Sequence, residues 1–104
     1  MRYENEEVNV EFSSYQNNGR LALILKQDYE IYAVLTVNLE EDIKNEYCSY
    51  IDTNNCGDYA LEWLEKNNFG KWTGRWGFSG FCTYPEFEFN KDVVEKFSKE
   101  KSVC

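Results

Sequence analysis

No histidine occurs among the 104 residues. That removes the commonest general base and the imidazole that activates serine or cysteine nucleophiles. Any hydrolase or transferase chemistry would fall to carboxylates, Tyr, Lys or Cys. Long apolar runs are missing too: the longest, LALIL at 21–25, is far too short to span a bilayer. No N-terminal stretch joins a basic start, an apolar segment and a small-residue cleavage site. The expectation is a soluble, cytoplasmic protein with no membrane role. The four cysteines, Cys48, Cys56, Cys82 and Cys104, are separated by 7, 25 and 21 intervening residues. Structural zinc sites of this size present close C-x-x-C pairs, and nothing secretory calls for disulfides, so reduced thiols and no metal are expected. Glycines 70, 74, 77 and 80 fit neither GxxxxGK(S/T) nor GxGxxG, and a β-rich segment follows them where a helix would be required. No cofactor is expected.

What is present is aromatic and acidic. Eight Tyr, seven Phe and three Trp supply large pieces for one small core, each ring removing roughly 150–250 Å² from water. A single domain over 1–104 is expected, frayed over about 98–104. The net charge is −8, unevenly spread: residues 1–65 carry 14 acids and 4 bases, residues 66–104 carry 5 acids and 7 bases. Such a surface repels phosphate backbones and attracts basic ones. The bland alternative is that excess acid only keeps a small protein soluble.

Val8, Val10 and Phe12 alternate with polar residues, predicting a strand that ends near Tyr15. Gln16-Asn17-Asn18-Gly19 then supplies a hairpin turn. A second strand follows at about 20–26, a third at 31–38, and a short one at 47–53. Glu40-Glu41-Asp42 reads as an acidic loop or helical turn. From about Cys56 to Asn67, Tyr59, Ala60, Trp63 and Leu64 share a face, which predicts one amphipathic helix of three turns closed by a left-handed residue near Asn67, Asn68 and Gly70. A last strand is expected over 81–89, with Pro85 at an edge, a bulge or a strand end. A final helix starts after Asn90. The sum is an α+β fold, an antiparallel sheet of four to five strands with two helices packed on one face.

Asp52 and Asp58 are candidates for metal or acid–base work, but their places just before and just inside the helix suit capping. Cys56 falls at that same helix start, where exposed N–H groups lower a thiol pKa; without a neighbouring base, burial as a small apolar residue is the stronger reading. GKWTGRWGFSGFCTYPEFEF at 70–89 interleaves Lys71 and Arg75 with Trp72 and Trp76, as single-strand nucleic-acid binders do. Two bases in an acidic protein argue against direct nucleic-acid binding. Protein-interface hot spots favour Trp and Arg, and packing of the rings against the sheet is the plain alternative.

LTVNL at 35–39, IDTNN at 51–55, EKNNFG at 65–70, TGR at 73–75 and above all SGFCTYPEFEF at 79–89 resemble a family of small acidic proteins of unknown function encoded on bacterial mobile elements and phages. The resemblance spans about residues 20–90 and implies no catalytic residues. Glu86 stands where it implies an apolar one. In setting, such proteins are similar to anti-CRISPR and anti-restriction inhibitors. The expected function is therefore non-enzymatic inhibition of a host defence nuclease, a Cas effector above others. Acids among Glu4, Glu6, Glu7, Glu11, Glu40, Glu41, Asp42 and Glu46 would meet its basic channel, and Trp72, Arg75 and Trp76 would anchor the contact. The alternative is an accessory protein-binding module of the mobile element, a homodimer included. The third class, an enzyme using Cys or carboxylates, would call for a deep pocket gathering Asp52, Cys56 and Tyr84.

Overall fold

Alternating apolar residues and turn chemistry produce the first hairpin where the sequence implies it. The computed structural model describes residues 1–98. In it Asn9–Ser14 pairs antiparallel with Leu21–Gln27, across a turn in which Gly19 takes φ +74° and its N–H donates to the Tyr15 carbonyl at 2.7 Å. In chain order the strands are β1 (Arg2–Tyr3), β2 (Glu6–Glu7), β3 (Asn9–Ser14), β4 (Leu21–Gln27), β5 (Glu30–Val34), β6 (Thr36–Val37), β7 (Cys48–Ile51), β8 (Gly70–Ser79) and β9 (Cys82–Phe89). The helices are α1 (Thr53–Cys56), α2 (Asp58–Lys66) and α3 (Lys91–Phe97). No helix among the described residues is long and apolar enough to cross a membrane.

The α+β class and the antiparallel pairing hold, but the single sheet does not. Three sheets form, in the orders β1-β2, β3-β4-β5 and β6-β7-β9-β8. The expected strand 31–38 is cut at Leu35. There the N–H donates to the Leu23 carbonyl at 3.0 Å, while the carbonyl accepts from the Asp52 N–H at 2.8 Å. β5 thus stays on β4, and β6 crosses to β7.

The helix expected over about 56–67 is α2, Asp58–Lys66, and a separate single turn, α1, precedes it over Thr53–Cys56. Gly57, at φ +78°, separates α1 from α2. Asp52 caps α1 by accepting from the Asn55 N–H at 3.3 Å, and Asp58 sits in the first turn of α2, where the helix dipole favours a carboxylate. The α2 helix ends as expected, on Asn68 at φ +63°, with the Phe69 N–H bonded back to the Leu64 carbonyl at 2.9 Å. Helix α1 contacts β9 and α2 contacts β8, whereas α3 contacts β3, and Val94 of α3 lies in the same core as Ala60, Trp63 and Leu64 of α2. Of the segment expected to fray, Ser98 bridges Phe12, and the rest lies outside the described residues.

One continuous core lies between these layers. Tyr3, Phe12, Leu23, Leu25, Leu35, Ile51, Leu64, Phe69, Phe87 and Phe89 are all buried in it. Phe12 meets Phe89 edge-on at 5.0 Å, and Phe97 of α3 stacks on Phe69 at 5.9 Å. The β1–β2 hairpin, which the sequence reading left outside its elements, turns on Glu4 and Asn5 at positive φ. It is held by Trp63 of α2, whose indole N–H donates to the Arg2 carbonyl at 2.7 Å and whose ring meets Tyr3 at 5.1 Å. Burial drives Tyr3 far above the ordinary range for a phenol.

Candidate functional site

Residues 70–79 are a ten-residue edge strand, β8, where the sequence reading expected only a glycine-rich lead-in to β9. A wide bulge explains the lost alternation. Trp72 lies opposite Phe87 and Trp76 opposite Pro85, so Thr73, Gly74 and Arg75 together face the one residue Glu86. Gly74, at φ +92°, makes that excursion tolerable for the backbone. Pro85, which has no N–H, falls just beyond the β7 pairing, which ends at Glu86. It is therefore at a bulge, in agreement with one of its expected places.

The bulge displays rings. Trp72 and Trp76 remain 40% and 48% exposed and meet edge-to-face at 5.4 Å; the Trp72 indole N–H donates to the Arg75 carbonyl at 3.1 Å. They face solvent, which answers the alternative of packing against the sheet. Phe78 and Phe81, in the arms and turn of the same hairpin, are more exposed still. The sequence reading missed this pair, although apolar residues on both sides of a Ser-Gly turn were a signal.

Behind the rings sits a carboxylate out of water. Glu86 is 0% exposed, in the place where the resemblance implies an apolar residue. It accepts from the Lys44 N–H at 2.7 Å and from the Thr73 hydroxyl at 2.7 Å, and Arg75 Nε approaches it to 3.6 Å. Burial without such donors would be strongly unfavourable. Among the described residues no buried side-chain nitrogen or oxygen lacks a partner. Nearby, Glu88 accepts from Asn45 Nδ2 at 2.9 Å and Lys44 Nζ at 3.2 Å, and these two donors hold its carboxyl below the ordinary value of 4.5.

These bonds pin the loop over 39–47 by its backbone. Arg20 Nη1 donates to the carbonyls of Leu39 (2.9 Å) and Glu41 (2.6 Å). The Tyr50 hydroxyl donates to the Asp42 carbonyl, which also receives Arg75 Nη2 at 3.4 Å. With its carbonyls bound inward, the loop leaves the side chains of Glu40, Glu41 and Asp42 exposed. Together with Phe78 they line a shallow depression of about 410 Å³. Tyr50 reaches its place because Gly77 has no side chain: a Cβ there would lie 2.6 Å from the Tyr50 ring.

The other named acids stand on different elements. Glu4 accepts from the Tyr32 hydroxyl at 3.3 Å and Glu6 from Gln27 Nε2 at 2.9 Å. The Met1 amino group, 2.7 Å from Glu7, lowers that carboxyl below its ordinary value by hydrogen bonding and charge. Glu11 pairs with Lys26 at 3.1 Å. Glu46 is exposed within the pinned loop. The structure thus brings Glu40, Glu41, Asp42, Arg75, Trp72 and Trp76 into one connected framework. It places Glu4 in the turn between β1 and β2, Glu6 and Glu7 on β2 and Glu11 on β3. Arg75 reaches Glu86 and the Asp42 carbonyl while its side chain stays 49% exposed.

The expected start-of-helix thiol is corrected. Cys56 is the last residue of α1, half-buried, with Sγ 3.7 Å from the Val34 carbonyl. Burial first, then Asp52 and Glu4, push its pKa above 9.0, the direction opposite to activation. Among the described residues no three or more Cys, Asp or Glu are grouped to hold a metal ion; Cys104 lies outside them.

Fold and surface together define a small antiparallel α+β protein that displays aromatic rings beside a backbone-pinned acidic loop. The chain belongs to the family described as Domain of unknown function (DUF4313), whose model matches residues 9–103. No curated protein and no solved structure matches the chain.

Proposed function

We propose that the protein works by stoichiometric binding of a basic protein surface, and that its target is a bacterial defence nuclease of the Cas effector type, whose nucleic-acid channel it occupies. One observation carries the proposal: exposed Trp72, Trp76 and Phe78 share a framework with the exposed carboxylates of Glu40, Glu41 and Asp42. Exposed tryptophans are the residues that dominate binding energy in interfaces, and their cost of ordering is low because the bulge already fixes them. The acids, within a front of the chain that carries 14 acids against 4 bases, supply long-range attraction to a basic channel and repel nucleic acid itself. The resemblance to small acidic proteins of mobile elements and phages supports the choice of a defence nuclease over other basic partners.

The test is to add the purified protein in excess to Cas effector–guide complexes and to measure target binding and cleavage. Inhibition that weakens with salt is expected, and it should be lost in a Trp72→Ala, Trp76→Ala double variant. Unchanged binding and cleavage at saturating protein would overturn the proposal. A pull-down that instead recovers transfer or replication proteins of the mobile element would favour an accessory module.

A further inference from the structure

The loop over 39–47 and the bulge over 73–75 are far apart in sequence, yet both end on the same carboxylate. We infer that Glu86 is the positioning residue that joins the acidic loop to the tryptophan bulge as one preformed surface; this rests on the binding surface proposed above. One oxygen of Glu86 accepts from the loop, at the Lys44 N–H. The other accepts from the bulge, at the Thr73 hydroxyl, and faces Arg75 Nε. Thr73 in turn accepts from the Arg75 N–H at 3.2 Å, and the Arg75 carbonyl holds the Trp72 indole. A chain of hydrogen bonds thus runs from the loop backbone through Glu86 to the ring of Trp72.

An apolar residue at this position could fill the sheet face, but it would leave the Lys44 N–H and the Thr73 hydroxyl without their acceptor. The carboxylate does something an apolar side chain does not: its two oxygens bind two segments at once. Glu86 sits on β9, between β7 and β8, a rigid central strand, so each segment is fixed relative to the sheet and hence to the other. Holding both elements in place before a partner arrives lowers the ordering cost at binding. Glu86 need not touch the partner for this, and at 0% exposure it does not reach the surface.

The experiment compares amide and indole hydrogen exchange in the wild type, Glu86→Leu and Glu86→Gln. Reporters are the Lys44 amide on the loop side and the Trp72 indole N–H on the bulge side; the Leu35 and Phe69 amides, both bonded in the core, serve as controls. In Glu86→Leu both reporters should exchange about tenfold faster or more, the scale of one charge-assisted hydrogen bond, with the controls unchanged. Glu86→Gln keeps one carbonyl oxygen for donors that now occupy two, so at least one reporter should open, and this variant carries the test if the leucine variant does not fold. Wild-type rates at both reporters in a folded variant would overturn the inference, as would equal acceleration of reporters and controls. Exchange needs no partner, so this inference can fail while nuclease inhibition is observed, and can succeed while it is not.

Discussion

Replacing Gly77 by alanine should destabilise the protein, although alanine is ordinarily the better strand residue. The added Cβ would fall 2.6 Å from Tyr50 Cε1, 2.8 Å from Leu39 Cδ1 and 2.9 Å from Tyr50 Cδ1. Carbon atoms rest at about 3.5–4.0 Å, so the neighbours must retreat by roughly 1 Å. The Leu39 methyl is the end of a flexible chain and can turn. The Tyr50 ring is 2% exposed and its hydroxyl is tied to the Asp42 carbonyl, so it resists. Overpacking of this kind costs about 1–3 kcal/mol, and relief of the glycine's conformational entropy returns roughly 0.5–1 kcal/mol. From the middle of the two ranges the net loss is about 1–1.5 kcal/mol. At about 4–8 °C per kcal/mol for a domain near this size, the midpoint should fall by roughly 4–12 °C. Urea titration followed by far-ultraviolet circular dichroism gives the free energy directly, and a thermal melt gives the shift. A Gly77→Ala variant as stable as the wild type, with an unchanged denaturant slope, would refute the claim that Tyr50 is wedged against this strand.

Two further outcomes follow from buried groups. Burial raises the phenols of Tyr3, Tyr15 and Tyr50 above 10.0 in the folded protein, so the stability they contribute is complete below pH 10 and is lost as the pH climbs past it. Urea midpoints should therefore fall from about pH 10 upward, and a flat profile to pH 11 would contradict it. Cys48 and Cys56 both have thiol pKa values pushed above 9.0, chiefly by burial; iodoacetamide at pH 7.5 should label both more slowly than in the urea-unfolded chain, and rapid labelling of Cys56 would restore the case for a nucleophile.

Local chemistry was legible where local forces decide. The Asn17-Asn18-Gly19 turn, the pairing of β3 with β4, the Ala60, Trp63 and Leu64 face of α2 and its Asn68 ending all follow from residues within a few positions of one another. What the sequence concealed depends on distant partners. Residues 31–38 alternate well enough for one strand, and only the bonds of Leu35 to Leu23 and Asp52 divide them between sheets. Gly57 lies just inside the expected helix start near Cys56, and its positive φ sets α2 apart from the α1 turn. Glycines 70, 74 and 77 suggested freedom of backbone, and the two-residue excess at the bulge hid the strand they belong to. Of the candidate site, Trp72 and Trp76 were named from composition, but their exposure was not decidable from it. The burial of Glu86 as a carboxylate is not legible locally, because its partners, Lys44 and Thr73, lie 42 and 13 residues away.

The change of sheet at Leu35 has a consequence for how the molecule comes apart. One residue completes the hydrogen bonding of two sheets, with its N–H facing β4 and its carbonyl facing the end of β7, while Leu23 also donates to the Thr36 hydroxyl at 3.2 Å. Neither sheet can lose its strands without unpairing the other at this junction. The two layers should therefore unfold as a single cooperative unit, and the chain cannot be divided at residue 35 into halves that each keep a finished edge.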